Sequence, residues 1–398
     1  MKKKIIYITS LMLSLIILLL NTINTHISFA DNLSEQEKYI SCNSTINAQE
    51  ISSSARAMFL FDAKSGREIY QKDCNKKLAL ASTTKIITAI TALENFTGDL
   101  DKKHIVPSEA VGLEGTSMYI KYGEELSVRE LLYGLMLPSG NDAGKALALL
   151  TSQTEKNFCT LMNKTAQKAG SKNSNFTNSH GLDAEGHYTT AKDLALITAY
   201  ALKNDTFREI VSTKNVVIEE TNKYQTRYFK NKNKLLFDFE GCIGVKTGFT
   251  DNAGRCLVTA VEDNNRQFIC VVLNCPDMFE ESSKLLNMAK DNYQYYKIID
   301  KEKSIDNVKV INGKASSTNL YALDQFGTLL SSEEYDKINI RYNYKKEYNA
   351  PISPQNVLGT IEVFIDEHLI FSTNLCSIEY IKSLNTRDLI NDIIENWS

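Results

Sequence analysis

No Cys-x-x-Cys pair occurs among the eight cysteines, which are scattered as Cys42, Cys74, Cys159, Cys242, Cys256, Cys270, Cys275 and Cys376. The five histidines (His26, His104, His180, His187 and His368) form no ligand-spaced cluster, so the sequence leads us to expect no metal site and no cofactor. An excess of positive charge is also lacking. With 45 basic and 48 acidic residues the formal net charge is −3, and nothing in that balance suggests a nucleic-acid partner. After residue 20 no apolar run is long enough to cross a membrane. Nor is the composition that of a disordered chain, since 43% of residues are hydrophobic and 23% charged.

What is present begins with Lys2-Lys3-Lys4, followed by an apolar run from Ile5 to Leu20 and the small-residue pattern Ser28-Phe29-Ala30. This is the order of a signal peptide over 1–30. A retained anchor is the alternative, and export follows from either. Without the three lysines, 42 basic face 48 acidic residues, a net charge of −6. Three of the cysteines, Cys242, Cys256 and Cys270, sit in apolar strand-like runs, where they pack as small hydrophobes.

Residues 31–54 are polar and read as a loose leader. Met58-Phe59-Leu60-Phe61 and Arg67-Glu68-Ile69-Tyr70 flank Ala63-Lys64-Ser65-Gly66 as a β-hairpin. Helical spacing then follows from Ser82. It recurs from Leu126 to Met136, where Ser127 and Glu130 have capping-box spacing, and over 141–150, 156–169 and 191–203. Three β-rich runs, 242–247, 255–261 and 267–273, joined by short turns, predict an antiparallel meander covered by a helix over 282–291. Two early and three late strands around an all-helical insert make an α+β domain over 31–297. Strand-like runs at 307–311, 338–342, 358–364 and 369–371 predict a small all-β domain over 298–377. Apolar residues at 378, 381, 384, 389, 390, 393, 394 and 397 predict an amphipathic helix over 378–398. Its charges sum to −2, which favours packing on the β domain over an anionic bilayer but leaves peripheral membrane contact open.

Three motifs carry chemistry. Ser82-Thr83-Thr84-Lys85 places a hydroxyl and an amine three residues apart, and it is the one Ser-x-x-Lys in the chain. A serine needs somewhere for its proton to go, and a lysine accepts it if burial or a like charge lowers its pKa. Ser139-Gly140-Asn141 lies between two helical stretches; Asn141 alone would equally serve as a helix cap. Lys246-Thr247-Gly248 lies on the first strand of the meander, offering a charge, a hydroxyl and a backbone free of a side chain.

In this order and context the three motifs resemble those of the low-molecular-weight penicillin-binding proteins, the serine-type D-alanyl-D-alanine carboxypeptidases. The likeness extends to Ser179-His180-Gly181-Leu182-Asp183, to Asn231-Lys232-Asn233-Lys234-Leu235-Leu236 and to Ala350-Pro351-Ile352 with Leu358-Gly359. The resemblance implies a penicillin-binding/β-lactamase-like domain, its antiparallel sheet covered by helices on both faces. It implies Ser82 as nucleophile, Lys85 as base, Ser139 as proton relay and Asn141 as substrate ligand. Lys246, Thr247 and Gly248 would bind substrate, and the backbone N–H groups of Ser82 and Phe249 would form the oxyanion hole. The substrate would be a peptidoglycan stem peptide and the inhibitors β-lactams.

Two other readings differ in class. A β-lactamase of class A requires a glutamate in a Glu-x-x-Leu-Asn pattern, where this chain has His180-Gly181-Leu182-Asp183. A non-catalytic β-lactam sensor or wall-binding scaffold would keep the fold without needing every motif residue intact. One departure stands out: many family members carry a carboxylate-binding arginine ahead of a Lys-Leu-Leu helix, and alignment on Lys284-Leu285-Leu286 puts Met278 there.

Overall fold

The computed structural model describes residues 53–354, 356–386, 390 and 394. The expected signal peptide, most of the leader, Cys42 and most of the tail helix lie outside the described residues.

The first hairpin forms as the alternation of the sequence predicts, β1 (Ala57–Asp62) antiparallel to β2 (Glu68–Lys72). Asp62 shapes its turn by accepting from the backbone N–H and hydroxyl of Ser65. After a 3₁₀ turn over Ala81–Thr84 comes α1 (Lys85–Asn95), buried continuously from Lys85 to Ala92, with Lys85, Thr88 and Thr91 the polar side chains among its apolar ones. A two-stranded ribbon, β3 (Lys103–Ile105) with β4 (Glu125–Ser127), leads into α2 (Val128–Met136), where the Ser127–Glu130 capping box is complete. The insert continues with α3 (Asn141–Ser152), α4 (Glu155–Lys168), α5 (Ala191–Ala201) and α6 (Asp205–Ser212). A second ribbon, β5 (Asn215–Ile218) with β6 (Arg227–Lys230), and the short α7 (Leu235–Asp238) precede the meander. The meander is β7 (Cys242–Thr250), β8 (Gly254–Asp263) and β9 (Arg266–Leu273), followed by α8 (Met278–Asn292).

Strand order in the main sheet is β2-β1-β9-β8-β7, antiparallel throughout, with β7 at one edge. Side chains alternate between two cores. Phe59, Phe61, Val258, Ala260, Ile269 and Val271 join the helical insert. Met58, Leu60, Leu257, Val261, Phe268 and Val272 face α8. Burial on both faces explains why these strands read as near-continuous apolar runs. Cys256 and Cys270 lie fully buried in these two cores, and burial pushes their thiols up to about 11 and about 12 respectively. The seven described cysteines are all free. The last helix starts at Met278, four residues before the sequence expectation, with Glu280 and Glu281 suited to its first turn.

Strand structure resumes at β10 (Gln294–Ile299) and continues with β11 (Ser304–Ile311), β12 (Ser317–Ala322) and β13 (Phe326–Leu330). The capped turn α9 (Ser332–Tyr335) precedes β14 (Ile338–Tyr344), β15 (Glu347–Asn349), β16 (Gly359–Ile365) and β17 (His368–Cys376). β10 and β13 pair as a ribbon; the rest form a six-stranded sheet, β14-β16-β17-β12-β11-β15. Arg67, on the first hairpin, reaches this region. Buried, it donates to Leu329 O at 3.0 Å, pairs with Glu334 and lies over the ring of Tyr293.

The tail departs from its expected start. Instead of a helix from Ile378, residues 378–385 are non-helical, Ile381 pairing with Ile352 and Ser383 with Gly313 as isolated β-bridges. Backbone bonds between Ile352 and Ile381, in both directions, outcompete the helical alternative there. Helical conformation begins at Thr386.

Candidate active site

The motif serine sits one step earlier in the local structure than its spacing suggests. Ser82 lies within the 3₁₀ turn, and Lys85 opens α1. The turn is set by Ala81, whose φ of 48° is in the left-handed region. Several contacts hold it there. Thr83 Oγ1 donates to Leu80 O at 2.6 Å and Thr84 Oγ1 to Ala81 O at 2.8 Å, while His187 Nε2 meets Thr84 Oγ1 at 2.9 Å. Gly181, at φ 90°, passes so close that a Cβ there would stand 2.0 Å from Ala81 O. Only glycine permits that approach.

Lys85 is fully buried. Its Nζ donates to Asn141 Oδ1 at 2.7 Å and to His180 O at 2.6 Å, and lies 2.9 Å from Ser82 Oγ. The first two partners are pure acceptors. A neutral amine therefore spends its two hydrogens on them and turns its lone pair to the serine hydroxyl. Burial, and then the charges of Lys246 and Lys232, hold the Lys85 pKa well below the usual lysine range, against a smaller opposing pull from Asp142.

Asn141 is the first residue of α3, and its side chain makes no capping bond; Gly140 is the cap residue. The amide instead spans the site, with Nδ2 donating to Glu114 O at 2.7 Å. Asp142 fastens the facing loop, accepting from Ser117 Oγ, Met118 N and Ile120 N. Ser139 is buried at φ 74°, and its Oγ has no hydrogen-bond partner among the described residues. Gly140 has no room for a Cβ, which would lie 3.0 Å from Gly134 O and 3.1 Å from Met118 N.

On β7, Lys246 is buried, and its Nζ donates to Thr247 O at 3.0 Å. Burial first, and Lys232 second, bring its pKa down to about 7. Gly248 lets the strand touch the turn that holds Ser82: a Cβ would stand 3.0 Å from both Leu80 O and Ser82 N. Phe249 follows, 62% exposed. Ser82, Ser139, Asn141, Thr247, Gly248 and Phe249 all line one cleft of about 460 Å³. The motif residues thus converge, and Met278 faces the same cleft.

Sequence reasoning assigned no role to the His180 carbonyl, to Asp142 or to Lys232 and Lys234, which also line the cleft. The His180-Gly181-Leu182 and Asn-Lys-Asn-Lys runs were the visible signals for three of them. His180 itself is buried, accepts from Leu182 N at Nδ1 and is brought down to about 4 by burial, with Lys85 adding to the effect.

The chain as a whole has relatives among known proteins. The family model described as D-alanyl-D-alanine carboxypeptidase, peptidase S11, matches residues 43–277, and the penicillin-binding protein 5 C-terminal domain matches residues 293–383. The carboxypeptidase DacF of Bacillus subtilis is 29% identical over 360 residues, 88% of this chain and 91% of the relative. DacA of Haemophilus influenzae is 31% identical over 335 residues, 81% of this chain and 84% of its own. Among solved structures, penicillin-binding protein 5 from Haemophilus influenzae superposes with a TM-score of 0.70 at 29% identity, covering 83% of this chain and 98% of that one. Since the S11 match spans well over half of the sequence and includes all three motifs, the chain belongs to the D-alanyl-D-alanine carboxypeptidase family, the low-molecular-weight penicillin-binding proteins.

Proposed function

We propose that Ser82 is the nucleophile and Lys85 its general base in this serine D-Ala-D-Ala carboxypeptidase, which removes the terminal D-alanine from peptidoglycan stem peptides and is inhibited by β-lactams. The observation that carries the assignment is the Lys85 amine, buried and committed as donor to Asn141 and His180 O while facing Ser82 Oγ.

In the first half-reaction Ser82 Oγ attacks the carbonyl carbon of the penultimate D-alanine as its proton passes to Lys85 Nζ. The backbone N–H groups of Ser82 and Phe249 receive the developing oxyanion; one such donor contributes about 3 kcal/mol to transition-state stability. Collapse breaks the peptide C–N bond, and Lys85 returns the proton through the Ser139 hydroxyl to the departing amine. The unpartnered Ser139 Oγ is free to make that bridge. In the second half, water attacks the acyl ester, Lys85 takes its proton, and the ester oxygen leaves as the Ser82 hydroxyl. Asn141 holds the substrate amide and orients Lys85. Thr247 donates to the substrate carboxylate, with the field of Lys246 behind it, and Gly248 keeps the strand open to the peptide. In full-length protein, labelled penicillin should acylate Ser82, and Ser82→Ala should abolish the label; a folded Ser82→Ala protein that still labels covalently ends this assignment.

We place the enzyme outside the cytoplasm, at the wall or the outer membrane face, with the tail as a peripheral membrane contact. Ile390 and Ile394, one helical turn apart, are 52% and 60% exposed, which supports this. Full-length protein should sediment with zwitterionic vesicles and a chain ending at residue 385 should not; equal recovery of both removes the proposal.

A further inference from the structure

The leaving D-alanine carries a carboxylate, and the place where the resemblance expects an arginine for it holds a thioether. Met278 and Phe279 open α8 and line the cleft, bringing no charge. Among the described residues the cations in or beneath the cleft are Lys85, Lys246, Lys232, Lys234 and Arg255. Lys85 and Lys246 are buried and bonded to acceptors of the catalytic centre, and both are held toward neutrality. Lys232 also lines the cleft, near enough to both amines for its charge to lower their pKa values further. Arg255, across the sheet edge, leans on the ring of Phe249 with its guanidinium 6.0 Å from the centroid.

Lys234 also lies over a ring, but that ring belongs to the residue next to Met278, where the resemblance expects the arginine. Its ammonium lies 5.6 Å from the ring centroid of Phe279, beside Met278, and it has no carboxylate at ion-pair distance among the described residues. Its neighbours Glu280 and Glu281 are taken up by Lys284. The backbone beneath it is fixed. Asn231 Nδ2 donates to Val211 O and Thr213 O, Asn231 Oδ1 accepts from Asn233 N, and Asn233 Oδ1 accepts from Leu235 N. With both asparagines buried, Lys232 and Lys234 alternate outward from a rigid loop. A flexible ammonium on a fixed base beside an uncharged wall is placed to read an anion.

We propose that Lys234 is a specificity-determining residue of this enzyme, its ammonium binding the C-terminal carboxylate of the stem peptide from the Met278–Phe279 side of the cleft while Thr247 binds it from the strand. The proposal rests on the assignment of Ser82 as nucleophile.

The test uses the full-length enzyme and two peptides, an N-acylated L-Lys-D-Ala-D-Ala and the same peptide ending in a carboxamide. A second, turnover-independent reading is the rate of Ser82 acylation by a penicillin as free acid and as methyl ester. Lys234→Ala should lower kcat/KM and acylation for the two acids by about 10- to 100-fold, the scale of a charge-assisted contact, and leave the amide and ester within about twofold. Lys234→Arg should restore most of the acid preference, and Arg255→Ala should leave it intact. The proposal falls if Lys234→Ala slows charged and neutral ligands by the same factor or leaves their ratio unchanged. It falls equally if the ratio collapses in Arg255→Ala instead, or if wild type is indifferent to the terminal charge. Failure of the nucleophile assignment shows separately, as absence of a Ser82 adduct in wild type with either form of the penicillin.

Discussion

Lys85 and Lys246 are lysines whose charge the fold works against, and their chemistry and their energetic cost follow from that one fact. If Lys85 is the base, Lys85→Arg keeps a cation that cannot deprotonate near neutrality, so acylation by penicillin should fall by about 10² or more in a folded protein. Near wild-type acylation would remove Lys85 from the role. The cost side is read at Lys246. Its folded pKa of about 7 lies below the ordinary lysine value of 10.5, so between those pH values the unfolded chain binds more protons than the folded one. Stability contributed by this group therefore rises as pH climbs from about 7 toward 10.5, and the penalty is complete below about 7. Lys246→Met should raise neutral-pH stability by a few kcal/mol on denaturant titration and flatten that pH slope, while activity is lost. At Thr247, Thr247→Val should harm peptide turnover more than Arg255→Ala, measured as kcat/KM; the reverse order would move the carboxylate contact to Arg255.

The turn at Ser82 is an element built by its neighbours rather than by its own residues. Ala81 at positive φ is held by Thr84, His187 and the backbone of Gly181. Gly181→Ala should thus displace the turn and carry the His180 carbonyl away from Lys85, lowering the acylation rate by more than tenfold with a measurable fall in Tm. Unchanged acylation would show that the turn holds itself. Elements of this kind explain what was legible in the sequence. Strands β1, β2 and β7–β9 and helices α1 to α5 were readable because their apolar spacing reflects large, continuous cores. All three motifs were readable because the chemistry demands those residue types. Ribbons β3–β4 and β5–β6 were not, each strand being three or four residues long with few buried positions. Strand β12 escaped because its sequence, Ser317–Ala322, is largely polar, and β13 because Gly327 interrupts it. Helix α6 was missed despite a signal, Phe207, Ile210 and Val211 behind an Asn204 cap. The 3₁₀ turn at Ser82 left no trace in spacing, since a serine and a lysine three apart fit either geometry.

Across the whole molecule, the first hairpin is joined to the C-terminal region by buried Arg67, which pairs with Glu334 on α9 and donates to Leu329 O on β13. Replacing Glu334 by Gln leaves the Arg67 charge with less compensation, and stability should fall by about 3 kcal/mol in denaturant titration. Arg67→Met with Glu334→Leu should recover much of that loss, because no charge then remains buried. Equal destabilisation by the single and double changes would mean that the pair itself, and not the stranded charge, sets the energy.

The sealed thiols make the protein its own recorder of opening. Alkylation requires a thiolate in contact with reagent, and Cys270, buried in the middle of the main sheet with its pKa at about 12, meets neither condition while that sheet stays closed. Each modification at Cys270 is then one opening event of the sheet, and the partly exposed Cys376 serves as an internal control for reagent activity. An acyl-enzyme that tightens the cleft should slow the clock at Cys270 and leave the rate at Cys376 unchanged, giving a readout of antibiotic occupancy that needs no substrate at all.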